Sequence, residues 1–191
     1  MNMNFPMEKK HALSIRSLAG EYAGPYLQEI FGEAFSYQTI RQRRKDLMSK
    51  HIAEHGIGKK PGVDELLDYL HQKGIKTAVA TATDEVRAKD YLTQIGICGK
   101  FDRIICATMV AHGKPKPDIY RYACEQIGEK PEDCIAVEDS PNGVRSASTA
   151  GLRTIMVPDL TEPDEETAQR LFTTVHSLDE IIRLFEEKQM F

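Results

Sequence analysis

Between residues 63 and 157 helical and extended patterns alternate, and this alternation restricts the chain more than any other feature. Apolar residues at three- and four-residue spacing predict helices over 63–72, 84–94, 118–127 and 141–150. Short apolar runs at 77–80, 103–106, 135–137 and 154–157 read as strands. These runs do not alternate apolar with polar, as expected of strands covered on both faces. Repeated strand–helix units imply an α/β fold, Rossmann-like, with a parallel sheet and helices on both faces joined by right-handed crossovers.

Residues 7–56 carry only helical signals. Leu13, Ile15 and Leu18 set one helix, and Tyr22, Tyr26, Leu27, Ile30 and Phe31 a second. Residues 36–55 form a third, with Leu47, Met48 and Ile52 as its apolar stripe. The basic run Arg41-Gln-Arg-Arg-Lys45 on that helix reads as a solvated face. Gly56-Ile-Gly-Lys-Lys-Pro-Gly62 is dense in turn residues and marks the boundary. The expected division is a small, incomplete helical cap over 1–58 and an α/β core over 59–191. The Gly-Lys pair in the boundary is no P-loop, since the earlier glycine and the following Ser or Thr are missing. Ser177-Leu-Asp-Glu180 reads as a capping box opening the last helix.

The 191 residues suffice for one α/β domain plus a small accessory unit. A net charge of −4 argues against binding nucleic acid, whose partners carry a basic footprint. No stretch approaches the roughly 18 apolar residues of a membrane span, and residues 1–10 lack an apolar signal core. Cys98, Cys106, Cys124 and Cys134 form no CxxC pair and read as buried thiols of a reducing compartment. The expected location is the cytoplasm, with no membrane and no nucleic-acid partner.

Chemistry concentrates in three loops at carboxyl ends of strands, where open α/β sheets bind ligands. Thr81-Ala-Thr83 offers hydroxyls and the N–H groups of Ala82 and its neighbours as an anion cradle at a helix start. Gly113-Lys-Pro-Lys-Pro-Asp118 is a proline-stiffened loop that holds Lys114 or Lys116 over the same point. Cys134-Ile-Ala-Val-Glu-Asp-Ser-Pro-Asn-Gly-Val144 ends a strand in Glu138 and Asp139 and starts a helix at Ser140-Pro141. Paired carboxylates there are hard oxygen ligands suited to Mg²⁺. A hydroxyl, an ammonium and an acid pair around one spot describe a phosphoryl site. Each loop alone has an ordinary reading as a cap or turn; their order and spacing together are specific.

Ala80-Thr81, Gly113-Lys-Pro-Lys-Pro-Asp118 and Val137-Glu-Asp-Ser-Pro-Asn-Gly143 resemble motifs II, III and IV of the haloacid dehalogenase superfamily. The resemblance is closest to its sugar-phosphatase and β-phosphoglucomutase-like branch. Lys60-Pro-Gly-Val-Asp-Glu-Leu-Leu67 resembles the return from that branch's helical cap. The resemblance implies that Thr81 hydrogen-bonds the transferring phosphoryl group, with Ala82 beside it, and that Lys114 neutralises charge between phosphate and nucleophile. It also implies that Asp139, with Glu138, binds Mg²⁺. Lys116 matches no fixed position of the family.

One departure bears on activity. The family's first motif is a strand ending Asp-x-Asp, whose first Asp is the nucleophile, and the 191 residues contain no Asp-x-Asp. Asp159-Leu-Thr161 is the nearest look-alike and resembles an ordinary family loop. By the resemblance, a strand, turn and helix of roughly 30 residues would precede the cap. The missing strand belongs centrally, between those ending at Thr81 and Glu138, so a gap of about 9–10 Å is expected there. Residues 1–6 are too short and polar to fill it. The expectation is a truncated start, or a chain that pairs with a second copy or with a missing N-terminal segment. Loss of the nucleophile removes covalent catalysis, on the order of 10⁶ in rate. The resulting expectation is a phosphatase or phosphomutase scaffold for a small phosphorylated metabolite, a sugar phosphate by resemblance, inactive as this chain. The alternative is a silent module that binds phosphate ligands or a protein.

His51-Ile-Ala-Glu-His55 also fits the H-x-x-E-H zinc-site pattern. It falls on the last turn of a helix, where the dipole favours histidines without any metal. His112, beside the Lys114 loop, reads as a surface residue.

Overall fold

The computed structural model describes residues 5–187. Residues 1–4, part of the N-terminal segment discussed above, lie outside them. Three helices come first: α1 (Lys9–Ser14), α2 (Gly20–Phe31) and α3 (Tyr37–His55). Then follow α4 (Val63–Gln72), β1 (Ala78–Thr81), α5 (Glu85–Gln94), β2 (Arg103–Cys106), α6 (Asp118–Ile127), β3 (Ile135–Glu138), α7 (Pro141–Ala150) and β4 (Arg153–Met156). The chain closes with α8 (Glu165–Ala168), β5 (Thr173–Thr174) and α9 (Glu180–Glu186). The fold is α/β with parallel strands and covering helices.

All ladders are parallel, but the strands form two separate sheets, β1-β2 and β3-β4-β5. Among the described residues no ladder joins β1 to β3. Helix α6 holds the halves together. Its Ile119, Tyr120, Ala123 and Cys124 lie in one core cluster with Ile105 of β2, Ala136 of β3 and Ala147 and Ala150 of α7, and Ala78 and Ala80 of β1 pack against it. A second cluster, Leu66, Ile155, Val175 and Ile181, joins α4 and α9 to β4.

Strand β2 matches the expected run, whereas β1 and β4 each sit one residue away and β3 extends one residue further, with consequences for the site. Thr81 pairs with Cys106 and Glu138 with Met156, so both polar residues belong to strand ends rather than loops. Strand β5 and helix α8 escaped the periodicity because two and four residues are too few to establish a pattern. Helix α1 stops at Ser14, short of Leu18, and the chain turns at Ser17 with φ +59°. The stripe expected to bury α3 does not: none of its residues is buried, and Leu47 and Met48 are 52% and 44% exposed. Glu180 does reach back to Ser177 Oγ (3.2 Å) and the His176 N–H (3.3 Å), but the helix itself begins at Glu180, with Asp179 in the N-cap position and no side-chain capping bond from it.

Gly62, the N-cap of α4, shows why the boundary stretch carries glycine. It has φ +77°, and a Cβ there would overlap the backbone N–H of Asp179 at the start of α9. The Leu178 N–H donates to Pro61 O at 3.2 Å across the same contact. Gly58 has open space at its Cβ position and no positive φ. We therefore expect Gly62→Ala to lower stability by about 1–3 kcal/mol and Gly58→Ala to leave it within about 0.5 kcal/mol, measured by urea unfolding. Equal effects at the two positions would remove the α4–α9 contact as the explanation.

Candidate active site

Lys114 lies at the centre of the site and is 6% exposed. Its Nζ donates to Glu138 Oε1 (2.5 Å), to the Ala80 carbonyl (3.1 Å) and to Tyr120 Oη (3.4 Å). The ammonium therefore touches β1 and β3 at once, in the space between the two sheets. It also stands 5.0 Å from the centroid of the Tyr120 ring. The loop that carries it is fixed on both sides: Ala19 N–H donates to Lys114 O (2.8 Å), and Ser146 Oγ donates to Lys116 O (2.6 Å).

Glu138 is 7% exposed and hydrogen-bonded through both oxygens. Oε1 accepts from both Lys114 and the Tyr120 hydroxyl, and Oε2 accepts from the Asp139 N–H at 3.2 Å. Burial, then the Glu138 charge, pushes the Tyr120 phenol well above its usual range, so Tyr120 is a donor here. Gly143 on the first turn of α7 packs directly on the Glu138 carboxylate, which any Cβ at that position would overlap. Ser140, the N-cap of α7, accepts from the Gly143 N–H at 3.3 Å and keeps that turn in place.

Asp139 faces outward. Its Oδ2 accepts from Arg16 Nη2, which also donates to Asp159 Oδ2 at 2.6 Å; Arg16 Nη1 reaches the Asp139 carbonyl at 3.4 Å. Lys60 closes the series on Asp159 Oδ1. Burial, then Glu138, raises the Asp139 carboxyl, and Arg16 and Lys114 pull it back. The hydrogen bond from Lys60 holds the Asp159 carboxyl below its usual range, with Arg16 adding to the effect.

Thr81 ends β1 one residue beyond the carbonyl that Lys114 binds. Its Oγ1 accepts from the Thr83 N–H at 3.1 Å, which leaves the hydroxyl proton to donate elsewhere. Ala82 and Thr83 turn into α5, whose N-cap Asp84 accepts from Arg87 N–H at 3.2 Å. Lys114 thus brings the β1 end and the Glu138–Asp139 end to one place, with Thr81 and Ala82 beside it.

Glu138 Oε1 serves the internal ion pair and Oε2 the adjoining amide, while Asp139 and Asp159 turn their oxygens to a cation, Arg16. Carboxylates paired in this way are hard oxygen donors of the class that suits Mg²⁺. His51 and His55 stack 4.4 Å apart on the exposed end of α3, and His112 is exposed near Glu21. No group of three His, Cys, Asp or Glu able to hold a metal occurs among the described residues. Sequence reasoning missed Arg16 and Tyr120, which have no motif of their own, the pairing of Lys60, which was read only as part of the return from the cap, and the role of Gly143 and Asn142, which were legible only as parts of a turn.

Removing one partner of a buried ion pair strands the other charge. Lys114→Met should cost about 3–5 kcal/mol in denaturant unfolding, and Lys114→Met with Glu138→Gln should recover most of it. An unchanged midpoint in the single variant would mean that Lys114 does not bridge the sheets.

Comparison with known proteins follows the same lines. The family model described as haloacid dehalogenase-like hydrolase matches residues 9–157. A phosphorylated carbohydrates phosphatase of Thermotoga maritima is 30% identical over 149 residues, covering 78% of this chain and 59% of that protein. The chain thus spans somewhat over half the length of that relative. The structure of CbbY from Rhodobacter sphaeroides in complex with phosphate superposes with a TM-score of 0.75 at 28% identity, over 93% of this chain and 82% of that one. A β-phosphoglucomutase from Clostridium difficile, at 22% identity and a TM-score of 0.77 over 95% and 82% of the two chains, shows the same fold.

Proposed function

The chain belongs to the haloacid dehalogenase-like hydrolase family, and from that premise we propose that its site receives the phosphoryl group of a small phosphorylated sugar together with Mg²⁺. The observation that carries the reading is the placement of Lys114 between the end of β1 and Glu138, beside Thr81 and Asp139. Phosphorylated-carbohydrate phosphatase activity in one relative and bound phosphate in another support the substrate class.

Each residue has a distinct task in this reading. Thr81 donates its hydroxyl proton to a phosphoryl oxygen, and the Ala82 N–H lies next to it at the start of the α5 turn. Lys114 supplies positive charge from a fixed position, since Glu138, Tyr120 and Ala80 leave its ammonium little freedom. Asp139 is the carboxylate that would hold Mg²⁺, and Glu138 orients it by accepting its N–H. When bound, the ion neutralises phosphoryl charge. The organisation that fits is a helical cap over 1–58 on an α/β core over 59–191, in a cytoplasmic protein. No helix among the described residues is long and apolar enough to cross a membrane.

No Asp-x-Asp occurs in the 191 residues, and the other aspartate near Asp139, Asp159, is held by Arg16 and Lys60. The chain as given therefore binds phosphate but does not turn it over. With p-nitrophenyl phosphate and Mg²⁺ we expect no measurable hydrolysis, consistent with a loss on the order of 10⁶ when a nucleophile is removed. Inorganic phosphate should still bind, roughly tenfold or more weaker in Thr81→Ala, the cost of one hydrogen bond to a charged group. Turnover that disappears in Asp139→Ala would overturn the silent reading. Phosphate binding indifferent to Thr81 would overturn the site.

A further inference from the structure

We infer that Arg16 is a built-in competitor for the cation position at Asp139, so that a divalent ion binding there displaces the guanidinium and loosens residues 14–19. The inference rests on the reading of Asp139 as the metal-holding carboxylate and concerns how that site is regulated.

One nitrogen, Arg16 Nη2, contacts one oxygen of each of two carboxylates, Asp139 Oδ2 and Asp159 Oδ2. The Arg16 side chain is only 17% exposed, against 42% and 30% for the acids it joins. This is the contact pattern of a small cation between hard oxygens, supplied here by the protein. The local charges balance: Lys114 pairs with Glu138, Arg16 with Asp139 and Asp159, and Lys60 with Asp159. A divalent ion adding itself to Asp139 would stand against the guanidinium. Like charges at such a distance repel strongly in a half-buried site, so one must leave.

The geometry gives Arg16 a way to leave. The same nitrogen also holds Asp159, which Lys60 pairs from its other oxygen, so Arg16 can release Asp139 and keep a counter-ion. Arg16 sits outside α1, which ends at Ser14, on a turn that includes Ser17 at φ +59°. The segment is tied down by the site itself. Asn142 Nδ2 donates to Ser14 O (3.1 Å) and Arg16 O (2.9 Å), and Ala19 N–H donates to Lys114 O. The Ala19 methyl is so close to Gly113 that a Cβ on Gly113 would lie 2.5 Å from it. Displacing the guanidinium therefore pulls on Asn142 and on the Lys114 loop, and the segment that leads into α2 moves with the state of the cation position.

The test uses Mn²⁺ as the probe and the full chain. Arg16→Gln should bind Mn²⁺ about five- to tenfold more tightly than the wild type, because no population is lost to the closed state, with Arg16→Lys in between. Asp139→Asn should abolish the binding. Hydrogen exchange at residues 14–19 should accelerate when Mn²⁺ is added to the wild type, an arm that needs no variant. If Asp139→Asn weakens Mn²⁺ binding while Arg16→Gln changes neither affinity nor exchange, the competitor role is overturned and the metal reading stands. If Mn²⁺ binding ignores Asp139, both fall.

Discussion

A lysine ammonium buried to 6% exposure needs a carboxylate, and the pairing of Lys114 with Glu138 is the constraint on which the other features of this molecule depend. Neither charge could remain in that position alone, since an isolated buried ion costs several kcal/mol or more. The surroundings complete the pair. The Tyr120 hydroxyl and the Asp139 amide add hydrogen bonds to Glu138, and Ala80 offers its carbonyl to Lys114. Gly143 is there because the carboxylate fills the space a side chain would take. Because Ala80 lies on β1 and Glu138 on β3, the pair also connects two sheets that share no ladder, with α6 covering both.

The site consequently has an inner and an outer layer with different physics. In the inner layer, the Lys114 and Glu138 side chains are 7% and 5% exposed, charges interact at low dielectric and geometry is fixed. In the outer layer, Arg16, Asp139, Asp159 and Lys60 are partly solvated, and ion pairs there are worth little individually and exchange readily. A site that receives a dianion together with a cation, as proposed above, benefits from both. The inner charge is preorganised, so it needs no rearrangement when a dianion arrives. The outer charges can be re-partnered, so a cation can enter without leaving a bare carboxylate.

The carboxylates and hydroxyl of the site were legible in the sequence and their partners Arg16, Lys60 and Tyr120 were not, for a physical reason. Thr81, Glu138 and Asp139 lie at or just past strand ends and Lys114 on the loop after β2, and a βα alternation brings strand ends and the loops that follow them to one edge whatever the side chains. What the pattern could not decide is which of two adjacent acids points inward. That choice follows from strand register, since Glu138 pairs with Met156 as the last residue of β3 and turns into the core beside α6. Tyr120 emits no signal beyond an aromatic on an amphipathic helix. Arg16 is 123 residues from Asp139, and Lys60 is 99 from Asp159, so no local rule pairs them. The fold class was carried by periodicity, whereas α3 shows the limit of the same reasoning. Its apolar residues are interleaved with Arg43, Arg44 and His51, and a stripe so interrupted does not by itself specify burial.

The helical first third and the strand-bearing remainder meet at the same few residues that do the chemistry. Glu21 of α2 accepts from the Gly113 N–H at 3.1 Å, Ala19 binds the Lys114 carbonyl, and Asn142 binds the turn that holds Arg16. Each contact joins a main-chain group to a site-loop residue or is made by the main chain of one. A shift of the helical part therefore cannot leave the site loops untouched, because Gly113 and Lys114 adjoin each other and Asn142 follows Asp139 by three positions on the first turn of α7. Lys114 itself resists that shift through Glu138, whereas Asp139 is restrained only by exchangeable partners. Motion should then be transmitted unequally: Lys114 stays, and Asp139 is exposed or covered as Arg16 moves. That inequality follows directly from placing one carboxylate inside the core and its sequence neighbour at the surface.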